Sequence, residues 1–80
     1  MDWINKINEI KKKLSENGFD KTISDITNAQ MVLGTSGEMY ISTMNVLLKI
    51  KKNNLPELHL IEEDIDALLK YGKDIGYFVI

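Results

Sequence analysis

Eighty residues carrying a net charge of −2 and no cysteine imply one small domain with a modest core and neither disulfide nor thiol chemistry. All ten basic residues are lysines. Without arginine the usual side chain for bidentate guanine reading and phosphate clamping is missing, which argues against a nucleic-acid partner. The 44% apolar and 28% charged content belongs to a folded chain, not a disordered one.

The first helix is expected over 2–17. Trp3, Ile7, Ile10 and Leu14 recur at helical spacing, with Ile4 widening the stripe. Asp2 suits the N-cap, and Gly18 suits a left-handed residue just past the end, with Phe19 making the apolar contact that follows such a stop. Met1 to Leu14 mixes charged and apolar residues without a continuous apolar core. No secretory leader is read there, and a cytoplasmic location is expected.

A second helix is expected over 21–33, with Asp20 as its N-cap and Ile23, Ile26, Ala29 and Leu33 on one face beside Val32. Gly34 ends it. Thr35-Ser36-Gly37-Glu38 then has the S/T-x-x-E capping-box spacing and opens a third helix that runs to about Lys52. From Met39 to Leu48 that helix carries no charge, so it is expected at the centre, with the first and fourth helices packed over it. The competing reading makes residues 30–42 a β-hairpin turning at Gly34–Gly37.

The fourth helix is expected over 56–75 with Pro56 at its first position. Leu58, Ile61, Ile65 and Leu68 form its stripe, continued by Gly72 and Ile75; Glu57, Glu62, Glu63, Asp64 and Asp66 are assigned to the other faces. Gly76 stops it. Tyr77-Phe78-Val79-Ile80 follows, an apolar run too short to span a bilayer and expected to be buried in the core or in an interface. The expected fold is an all-α, compact, four-helix bundle-like single domain over 1–80 with an apolar central third helix. The alternative is α+β with the hairpin.

Five features are candidates for a site. His59 lies at helical spacing from Glu62 and Glu63, but no second histidine or cysteine completes a metal set. Glu62, Glu63, Asp64 and Asp66 form an acidic run without an aromatic pocket that would separate carboxyl pKa values, so it reads first as a solvated helix face, with a docking face for a basic partner as the alternative, and not as an acid–base pair. The turn Gly34–Gly37 offers amide groups to an anion, yet no lysine follows it and Glu38 would repel phosphate. A helix-turn-helix would aim Ser36-Gly37-Glu38-Met39-Tyr40, acidic and apolar, at the phosphates, while Lys49, Lys51 and Lys52 sit at the far end. Met31, Met39 and Met44 read as gap-fillers or as an adaptable contact surface.

No converging catalytic set can be assembled. The expectation is a small non-enzymatic partner-binding protein, with neither metal nor cofactor, no membrane contact and no identified small-molecule substrate. Its candidate contact residues are Glu62, Glu63 and Asp66 together with Tyr77, Phe78, Val79 and Ile80. The alternative is a self-associating structural or regulatory protein, possible as a homodimer. Richness in Ile, Asn and Lys suits an AT-rich coding sequence, as in a low-GC bacterium or its phage.

Overall fold

In a computed structural model, which describes residues 2–31 and 34–77, the chain forms α1 (Trp3–Glu16), α2 (Asp20–Gln30), α3 (Ser36–Lys52) and α4 (Leu58–Ile75). There is no strand among the described residues. Residues 38–42, which the hairpin reading places in a strand after the Gly34–Gly37 turn, are helical. The protein is all-α.

Helix starts follow their side chains. Asp2 Oδ1 accepts the Ile4 and Asn5 N–H groups at 3.1 and 3.3 Å, filling two of the orphan donors of α1. At α3 the capping box is complete. Glu38 N–H donates to Thr35 Oγ1 and Thr35 N–H donates to Glu38 Oε1, both at 3.2 Å. Thr35→Ala is therefore expected to lower stability by about 1 kcal/mol while leaving binding unchanged. Urea denaturation would measure the first, and unaltered stability would remove the cap from the account.

Three helices end in the same way. Just past each end, an N–H returns to the carbonyl five residues earlier: Phe19 to Leu14, Leu55 to Ile50 and Tyr77 to Gly72, at 3.0, 3.2 and 2.8 Å. The residue before each is left-handed, with φ of +80° at Gly18, +48° at Asn54 and +83° at Gly76. This is the Schellman arrangement, which turns the chain sharply and sets an apolar residue after the stop.

The boundaries of α2 and the start of α4 differ from the sequence reading. Asp20 is the first residue of α2 and not its cap; Phe19 holds the cap position, without a side-chain hydrogen bond. The Schellman turn fixes Phe19 over α1, and its carbonyl already accepts from Ile23 N–H at 3.2 Å, so the helix begins one residue early. Pro56 likewise lies before α4. Leu58 N–H donates to Leu55 O at 2.9 Å, closing a tight turn in which the preset φ of Pro56 fits the second position, and the helix proper starts at Leu58. α2 ends at Gln30, with Met31 as its C-cap and the Met31 N–H returning to Asn28 O, short of the expected end at Leu33, which itself lies outside the described residues.

The helices pack as a closed ring: α1 on α2, α2 on α3, α3 on α4 and α4 back on α1. Every helix contributes to one core. Trp3, Ile7, Ile10 and Leu14 of α1, Ile26 of α2, Tyr40, Met44, Leu47 and Ile50 of α3, and Leu58, Ile61, Ile65 and Leu68 of α4 are buried. The uncharged stretch of α3 is one wall of the ring, between α2 and α4, with Tyr40, Thr43, Met44 and Leu47 buried and Asn45 exposed; α4 packs on it as expected, whereas α1 packs on α2 and α4 instead. The stretch reaches α1 across the middle, where the Trp3 and Tyr40 rings meet edge to face at 5.5 Å. Thr43, one of its polar interruptions, is fully buried and donates to Met39 O at 2.9 Å, so its hydroxyl is satisfied within the helix.

Candidate functional site

The acidic residues of α4 fall into two groups. Glu62, Glu63 and Asp66 are exposed. Asp66 Oδ1 lies 2.5 Å from Lys51 Nζ on α3. That hydrogen bond, with the charges of Asp66 and Glu62 behind it, holds the Lys51 ammonium above its ordinary pKa. A pair this open to water adds little stability. Glu62 and Glu63 have no ion-pair partner among the described residues.

Asp64 and Glu57 behave otherwise, and their assignment to the outer faces of α4 is corrected. Asp64 is 7% exposed and Glu57 6%. Asp64 faces α1, where Lys13 Nζ and Lys6 Nζ approach its two oxygens at 2.7 and 3.5 Å. Lys6 also bonds Glu9 at 3.0 Å, and that bond leads the causes that raise its pKa, ahead of the pull of Asp64. Glu57 Oε2 accepts the Thr22 hydroxyl of α2 at 2.5 Å. The sequence does hold a signal for this. Glu57, Asp64 and the half-buried Tyr71 are seven apart, one heptad position running beside the Leu58–Ile61–Ile65–Leu68 stripe. Such flanking positions meet neighbouring helices through charged pairs.

At the other end of the core, Tyr40 is fully buried and its hydroxyl donates to Leu68 O at 2.5 Å. Burial pushes its phenol above the usual pKa. The Tyr77 ring packs 5.4 Å from it, so the first residue of the apolar tail is half-buried within the protein's own aromatic cluster. Phe78, Val79 and Ile80 lie outside the described residues.

His59 is exposed, with Nδ1 2.5 Å from Pro56 O. Among the described residues no three histidine or carboxylate side chains gather as a metal set would require. Met44 is buried, Met39 is half-buried against the core, and Met31 stands 71% exposed. Gap-filling thus describes Met44, and a contact role is open only to Met31.

No family model, curated protein or solved structure matches this chain. The exposed face of α4 carries a row of carboxylates with one cross-helix lysine contact. Among the described residues no helix is long and apolar enough to cross a membrane.

Proposed function

We propose that this chain is a small non-enzymatic cytoplasmic binding protein that docks by surface complementarity on a basic protein partner. An inhibitor, an immunity-type or antitoxin-type protein, or an adaptor would act in this way. The observation that supports it is the exposed acidic face of α4, where Glu62, Glu63 and Asp66 stand in water while Asp64 of the same run is committed to α1. Asp66 is paired with Lys51, but Glu62 and Glu63 have no ion pair among the described residues, and a patch left with net negative charge steers a basic partner and mainly sets the association rate.

Glu63→Lys combined with Asp66→Lys is expected to leave the fold intact, because both side chains are exposed. It should slow association with the partner by about tenfold at low salt, with the difference fading near 0.5 M salt as screening shortens the field. Stopped-flow association against a partner recovered by pull-down measures this. Equal rates at low salt would remove the face from the mechanism.

Self-association is the second reading. Ile4, Met31 and Ile75 are 44%, 71% and 46% exposed, and light scattering on the intact chain would distinguish a dimer from a monomer.

A further inference from the structure

Between α2, the C-terminal half of α3 and the turn before α4 lies a cleft of about 290 Å³. Val46, Ile50 and Leu55 form its apolar part, while Lys21, Thr22, Asp25, Lys49 and Glu57 bring polar groups to it. Three observations set it apart from the rest of the surface. Glu57 is more than nine-tenths buried, yet only a neutral hydroxyl, that of Thr22, bonds it. Burying a carboxylate without a cation is costly. The start of α4 provides only a partial positive charge there. Lys49 has no ion pair among the described residues, whereas Lys21 and Asp25, which line the same cleft, are bonded to each other at 3.1 Å. Leu55 departs from the other two residues placed after a Schellman stop. Phe19 and Tyr77 pack on the core, but Leu55 stays 37% exposed at the cleft.

One unpaired carboxylate and one unpaired ammonium beside an apolar wall suit a ligand carrying both charges and an aliphatic group. We propose that this cleft binds a small aliphatic zwitterion of the α-amino acid class. Its ammonium bonds the Glu57 carboxylate, its carboxylate bonds Lys49, and its side chain covers Val46, Ile50 and Leu55. The volume lies at the lower end of the range for ligand pockets, which suits an amino acid and is small for a nucleotide. A lone cation would satisfy Glu57 and leave Lys49 repelling it; a lone anion would do the reverse. This inference is independent of the acidic face of α4, since Glu62, Glu63 and Asp66 do not line the cleft.

The test is an NMR titration of the full chain with L-leucine. Saturable shifts are expected at Thr22, Ile50, Leu55 and Glu57, with affinity in the range of about 1 mM. Isopentylamine and 4-methylpentanoate, each with one charge removed, should bind about tenfold weaker or less, as should leucine to Glu57→Gln and to Lys49→Met. Lys49 is exposed, so Lys49→Met reports on the cleft even if Glu57→Gln disturbs the fold. No saturable shift up to roughly 50 mM leucine, equal binding of the amine, or undiminished binding to Lys49→Met would each overturn the proposal.

Discussion

Gly72→Ala is expected to destabilise the protein by about 3 kcal/mol, the scale of forced overpacking in a core. The direction is informative, because alanine in a helix interior is ordinarily worth up to about 1 kcal/mol over glycine. Here the Tyr40 ring lies directly on the α4 backbone. A Cβ at position 72 would stand 2.7 Å from Tyr40 Cζ and 2.9 Å from Cε2, and closer still to the hydroxyl oxygen. Tyr40 has no room to withdraw. Trp3 meets it edge-on, Tyr71 and Tyr77 flank it, and its hydroxyl is bonded to Leu68 O. Urea denaturation measures the loss. Because the hydroxyl is the nearest atom, Tyr40→Phe should recover part of the stability of Gly72→Ala, so the double variant should be more stable than the sum of the singles implies. A Gly72→Ala protein as stable as the parent would mean that this contact does not constrain α4.

Ile26→Ala is expected to cost about 2–4 kcal/mol, the range for emptying a fully buried aliphatic site. Ile26 is the one fully buried side chain among the described residues of α2; Ile23 and Ala29 are only half-buried. Thr22, Ser24, Thr27 and Asn28 are weak helix formers, so α2 depends on docking more than on propensity. Hydrogen exchange should therefore show amides of α2 losing more protection than those of α4. Equal loss in both would show that α2 and α4 open only together.

The four helices were legible because each carries a periodic apolar stripe, and the Asp2 and Thr35 caps because each is specified by residues within one turn. Hairpin and helix competed over 30–42 because Tyr40, Ile41 and Thr43 suit both, and the capping box at Thr35 is the local feature that agrees with the outcome. The cap of α2 lies one residue earlier than Asp20 because Phe19 serves both helices: its N–H closes the stop of α1 and its carbonyl accepts from Ile23 to start α2. Asp64 and Glu57 were read as outer residues because charge alone argues for water. What reverses that is partners on other helices, Lys6, Lys13 and Thr22, whose approach no local pattern specifies. The fit of Tyr40 on Gly72 joins residues too far apart in sequence for any periodicity to announce.

The ring of helices also sets how the chain finds its fold. Three of its four seams join consecutive helices through short turns, and such local closures cost little entropy. Only the seam of α1 with α4 joins distant parts of the chain, so that closure is the slow event on a landscape that is otherwise local and fast. Asp64 sits there between Lys6 and Lys13, two turns of α1 apart. A slide of one helical turn, about 5.4 Å, would carry it out of that bracket. The charged trio thus works as a vernier on the last seam to close, marking when the two helices have stopped at the right height.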